Sequence, residues 1–251
     1  MTIELYHWEP SGDSAKALFC LKETGVDFTS HYVDILKFEQ YRPEYLALAP
    51  MGQVPVLRHA GTVLSEPRLL LEYLVDAFPQ SKLAPTDAAG WYDAQAWIRY
   101  TDAQLNDSVR LLGWHMVMLP AMSEAERRDF ANRLEKVPVK ERQAGWAAVV
   151  RDAESTEDRL ENAKGQIRDA LERMEGTLAG SPWLAGSAFS IADINAFALA
   201  WPLPKLMPED VNTQKTPAIK AWLQRTATRP AFKAAMSMRR AADEVPRFAP
   251  A

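Results

Sequence analysis

With 251 residues, 47% of them hydrophobic and 25% charged, the chain has room for two modest domains or one large one, and its composition is that of a globular protein. A formal net charge of −4, with both signs mixed along the chain, gives no overall attraction to nucleic acid or to an anionic membrane. The opening MTIELYHWEP lacks the basic-then-apolar pattern of a signal peptide, and no apolar run approaches the length of a membrane span. The lone cysteine, Cys20, has no partner for an internal disulfide, which fits a reducing cytoplasm. His7, His31, His59 and His115 are scattered without metal-ligand spacing.

The first 80 residues alternate between two periods. Ile3 to Tyr6 reads as a strand, Ser14 to Thr24 as a helix stopped by Gly25, and Asp27 to Ile35 as a second strand rich in Phe, Thr, Tyr and Val. A strand–helix–strand unit predicts a right-handed crossover and a parallel pair. A short helix is predicted over 43–48. Val54 to Leu57 and Thr62 to Leu64, joined by a turn at His59-Ala60-Gly61, form a hairpin. A helix follows from Pro67, whose ring suits a first helical turn, to about Ala77.

The stretch FPQSKLAPTD, residues 78–87, is proline-bearing and irregular and reads as a linker. Everything beyond it is helical. Trp91, Ala94, Ile98, Leu105 and Leu112 follow the spacing of one helix face. Ser123 with Glu126, and Ser190 with Asp193, are capping boxes, the second with a hydrophobic staple of Phe189 and Ile194. Ile167, Leu171, Met174 and Leu178 make another stripe, and Pro217 and Pro230 open the last two helices. Two domains are expected, 1–80 and 88–251, the first βαβ-α-ββα and the second all-α.

Three motifs in this order carry a family resemblance: Gly52-Gln53-Val54-Pro55-Val56-Leu57, Ser65-Glu66 before a helix, and Ser190-Ile191-Ala192-Asp193. The chain resembles the glutathione S-transferase superfamily, in which a thioredoxin-like domain precedes a helical one. The tract from Val33-Asp34 through Lys37-Phe38-Glu39-Gln40 is similar to that of the bacterial β-etherases, which cleave β-aryl ethers derived from lignin using glutathione. So are Leu112-Gly113-Trp114, Val137-Pro138 followed by Trp146, and Val211 through Pro217.

The resemblance implies a thiolate nucleophile supplied by glutathione. A free thiol has a pKa of about 8.5, so only a few per cent is ionised at neutral pH. A hydroxyl hydrogen bond and a helix N-terminus both favour the anion. By resemblance Ser14 supplies that hydroxyl; by position alone it reads as an N-cap. Val54 and a cis Pro55 would hold the cysteinyl backbone of glutathione like an added strand, where a plain reading gives an X-Pro turn. Gln53 and Glu66 would bind the charged ends of the tripeptide, although a glutamate opening a helix also complements the dipole.

One position departs from the family pattern. A serine or threonine follows that glutamate in the family and receives the γ-glutamyl carboxylate through its hydroxyl and N–H; here the residue is Pro67, which supplies neither. Losing two hydrogen bonds to a charged group costs roughly 1.5–3 kcal/mol each, a hundredfold or more in affinity. A helix N-terminus remains for the anion. Trp8, Trp114 and His115 are candidates for the electrophile pocket between the domains, and Cys20, mid-helix, reads as a small buried hydrophobe. Three functions follow. One is glutathione-dependent β-aryl ether cleavage by a homodimer or heterodimer. Another is a non-catalytic subunit supporting an intact partner. The third is a different glutathione enzyme, such as an isomerase or dehalogenase, with another electrophile pocket.

Overall fold

The computed structural model of the chain describes residues 2–153 and 157–238. A four-stranded sheet has the order β2-β1-β3-β4, built from β1 (Ile3–His7), β2 (Thr29–Tyr32), β3 (Val56–His59) and β4 (Thr62–Leu64). β1 pairs in parallel with β2, Leu5 opposite Ser30, and antiparallel with β3, Leu5 opposite Leu57. The helix between β1 and β2, α1 (Gly12–Thr24), makes the expected crossover and ends on Gly25 at φ 72°, a left-handed cap that glycine adopts without a steric penalty. α2 (Pro43–Leu48) and α3 (Pro67–Ala77) complete this half.

Two of the sequence expectations need correction. The second strand is shorter than 27–35 and stops at Tyr32, because the Asp34 side chain accepts from the backbone N–H groups of Leu36 and Lys37 and winds the chain into a 3₁₀ turn. Local side-chain capping wins there over β propensity. The third strand starts at Val56 rather than Val54, since Pro55 has no N–H to give a ladder.

The rest is helical: α4 (Ala88–Thr101), α5 (Asp107–Gly113), α6 (Leu119–Ala121), α7 (Glu124–Leu134), α8 (Lys140–Ala153), α9 (Glu157–Gly180), α10 (Ile191–Ala200), α11 (Leu203–Leu206), α12 (Pro217–Ala227) and α13 (Pro230–Met236). α4, α5 and α6 form one rod interrupted by two π-turns, Asp102–Asn106 and Trp114–Met118. Both capping boxes form, at Ser123 with Glu126 and at Ser190 with Asp193. Among the described residues no helix is long and apolar enough to cross a membrane.

α1 joins the two halves. Leu18 and Leu21 lie fully buried in the core shared with Leu5, Leu57 and Leu74. Phe19, 1% exposed, packs its ring 6.0 Å from Phe197 of α10 and 5.5 Å from Phe232 of α13. A helix buried on nearly every side is a core element. Its polar residues are paired: Glu23 meets Arg229 through two hydrogen bonds of 2.5 and 2.7 Å. The buried Lys16 ammonium lies 2.9 Å from Asp13 and 2.8 Å from Asp102 in the first π-turn. Burial opposes its charge, but the two carboxylates outweigh that and hold its pKa above the ordinary lysine value. The N-terminus of α1 is thereby fixed against the helical half.

Candidate active site

Between the two halves lies a cavity of about 510 Å³. Ser14, Gln53, Val54 and Glu66 all stand on its wall, as does Pro67. The Val54–Pro55 peptide bond is cis, as the resemblance implied; Pro55 is buried and does not itself line the cavity. Three segments distant in sequence are therefore gathered: the start of α1, the loop before β3 and the start of α3.

Ser14 is not an N-cap. The cap of α1 is Ser11, and Ser14 is the third helical residue. Its Oγ accepts the Trp8 N–H at 3.2 Å and only 4% of the residue is exposed. An oxygen fixed by an accepted bond keeps its own O–H to donate, and here the residue borders the cavity. Ser11 is a second hydroxyl on the same wall, and its side chain caps nothing. A serine before a glycine at a helix start is the sequence signal for it.

The loop carrying Gln53 is held tightly. Tyr45 donates its hydroxyl to the Gln53 carbonyl oxygen at 2.7 Å. Gly52 sits at φ 57°, where a Cβ would come within 2.5 Å of the Tyr41 ring, so only glycine serves both the conformation and the close approach. The side-chain Oε1 atoms of Gln53 and Gln40 are buried without hydrogen-bond partners, and both residues line the cavity. Buried amide oxygens are rarely left unmet in a finished structure.

Glu66 is the N-cap of α3, its side chain caps no backbone group, and Pro67 is the first helical residue. The departure seen in the sequence thus falls on the cavity wall itself. Ser65, one residue earlier, also borders the cavity.

Trp8, Trp114 and Trp146 also line the cavity, with Trp114 5.5 Å from Trp146 and 5.6 Å from Phe130 between ring centroids. Trp146 donates its indole N–H to the Tyr41 hydroxyl at 3.0 Å. His115 is not among the wall residues. Arg142 is, on α8; nothing in the sequence distinguished it from the solvated charges of a helix face. Cys20 is fully buried and its thiol is pushed up by that burial, which keeps it protonated and unreactive.

Comparison with known proteins agrees with this architecture. Residues 5–82 match the glutathione S-transferase N-terminal domain and residues 139–230 the glutathione S-transferase C-terminal domain. The chain belongs to the glutathione S-transferase family. It is 32% identical to Protein LigF of Sphingobium sp. (strain NBRC 103272 / SYK-6) over 93% of this chain and 92% of that protein. The crystal structure of beta-etherase LigF from that strain superimposes with a TM-score of 0.84, covering 94% of this chain and 99% of the other. A theta class glutathione S-transferase from Xanthomonas axonopodis pv. citri, solved with glutathione bound, is 25% identical with a TM-score of 0.71, covering 94% and 97%.

Proposed function

We propose that this protein is a glutathione-dependent β-etherase, cleaving β-aryl ethers of lignin-derived aromatics. The observation that carries the proposal is that one cavity is lined both by Ser14, Gln53, Val54 and Glu66 and by the indoles of Trp8, Trp114 and Trp146. The likeness to beta-etherase LigF over nearly the whole chain supports the choice among glutathione enzymes.

In this reading Val54 pairs with the cysteinyl backbone of glutathione, and Gln53 and Glu66 hold its charged ends. Ser14, fixed by the Trp8 N–H, donates its hydroxyl to the sulfur. Half-ionising a thiol of pKa about 8.5 at neutral pH needs a shift of about 1.5 units, or about 2 kcal/mol. One hydrogen bond to a charged group is worth about 1.5–3 kcal/mol and a helix N-terminus about 0.3–1, so the two suffice. The sulfur displaces the aryloxy group at the ether carbon: one C–S bond forms, one C–O bond breaks, and the phenol leaves with the thiol proton. Trp8, Trp114 and Trp146 stack the aryl rings and exclude water from the thiolate.

Pro67 supports a second reading, in which the chain assists a partner that carries an intact site. Val63, Leu69 and Tyr92 are 42%, 53% and 72% exposed on β4, α3 and α4, and Arg68 bonds Gln95 between those two helices at 3.2 Å. This apolar surface suits a dimer with a second copy or a related subunit. The proposed domains are 1–80 and 88–251, and the proposed compartment is the cytoplasm. Calorimetric titration with glutathione separates the readings: millimolar or tighter binding supports catalysis by this chain, and no binding at millimolar concentration leaves it the supporting role. With binding established, activity toward a halide or a maleyl substrate in place of an aryl ether would identify a different glutathione enzyme.

A further inference from the structure

Arg142 and Trp146 lie four residues apart on α8 and therefore share a helix face. Both reach across to the thioredoxin-like half: Trp146 donates to the Tyr41 hydroxyl at 3.0 Å, and Arg142 Nε donates to the Met51 carbonyl oxygen at 3.2 Å. Those contacts fall on the two segments that carry Gln40 and Gln53, which Gly52 packs against each other. Arg142 makes no ion pair with a described carboxylate, although it is only partly exposed and borders the cavity. With Nε committed to Met51, its two terminal nitrogens keep the planar fork that matches a carboxylate. Gln40 and Gln53 border the same cavity.

We propose that Arg142, delivered by the helical half, binds the glycine carboxylate of glutathione, so that the tripeptide is gripped from both sides of the cleft. This rests on the reading of the cavity as a glutathione site. It gives the ligand a charge-assisted anchor at the end opposite Pro67, where a hydroxyl and an N–H are missing. It also couples the closeness of α8 to thiol binding, because the same side chain braces the Met51 loop.

Calorimetry on the full chain, with glutathione and with its glycine monoethyl ester as probes, tests the proposal. The wild type should bind the ester about 10- to 100-fold more weakly than glutathione. Arg142→Gln, which keeps an N–H for Met51 but loses the charged fork, should weaken glutathione by a similar factor. It should change the affinity for the ester less than threefold. Equal affinity of the wild type for both probes would overturn the proposal without needing any variant. So would equal weakening of both probes in the Gln variant, since that is the mark of a purely structural brace. Binding of neither probe by the wild type would overturn the glutathione reading and this proposal with it.

Discussion

At the residue scale, the proposed function puts most weight on two side chains. Ser14 has one accepted hydrogen bond and one proton to give. Ser14→Ala should raise the pKa of enzyme-bound glutathione by about 1–2 units, the worth of one hydrogen bond to an anion, read from thiolate ultraviolet absorbance against pH. Glutathione affinity should change far less. An unaltered thiol pKa would pass the role to Ser11, the other hydroxyl on that wall. Pro67 stands at the first position of α3, and Pro67→Ser restores an N–H and a hydroxyl where the γ-glutamyl carboxylate is expected. Glutathione should then bind at least tenfold more tightly, and unchanged affinity would mean that the carboxylate is held elsewhere.

At the element scale, Asp193 braces the start of α10. Its oxygens accept from Leu184 N–H at 3.1 Å, Trp222 Nε1 at 3.0 Å and Ser190 N–H at 3.1 Å. Replacing it with alanine leaves three buried donors unmet and should cost about 3 kcal/mol or more of stability in urea unfolding. Burial pushes its carboxyl up to about 6 despite those donors. A folded-state pKa above the unfolded value means that the native chain holds the proton more tightly. The stabilisation is complete below about 4 and lost as pH rises through about 6. Relative to Asp193→Asn, the wild type should therefore lose stability across that window; parallel pH profiles would contradict the assignment.

Local structure was legible where the cause is local. Gly25 stops α1, the serine and acid pairs start α7 and α10, and Pro67, Pro217 and Pro230 open helices, because each acts through bonds within one turn. The short second strand was not legible, since it depends on Asp34 turning back on Leu36 and Lys37. Nor were the two π-turns, where α4 to α6 keep an apolar face while adding a residue. Of the site, Ser14, Gln53, Val54 and Glu66 follow from motif and order. Arg142 does not, because its meeting with Met51 spans 91 residues of chain and only tertiary packing brings it about.

At the scale of the whole molecule, α1 is the shared axle. It packs on the sheet and α3 through Leu18 and Leu21 and on α10 and α13 through Phe19. Opening the cleft widely would therefore expose a common core. Leu69 and Tyr92 are exposed and belong to the surface proposed above for association. A double change of Leu69→Glu and Tyr92→Glu should convert dimer to monomer in light scattering with the thermal midpoint of the monomer little altered. A wild type that is already monomeric would remove that surface from the account.

The central claim is tested most directly by incubating the pure protein with a β-aryl ether and glutathione and quantifying both products by liquid chromatography. The account predicts phenol and glutathione thioether in equal amounts, none without glutathione, and a sharply lower rate in Ser14→Ala. Tight glutathione binding with no phenol released from any β-aryl ether would contradict it.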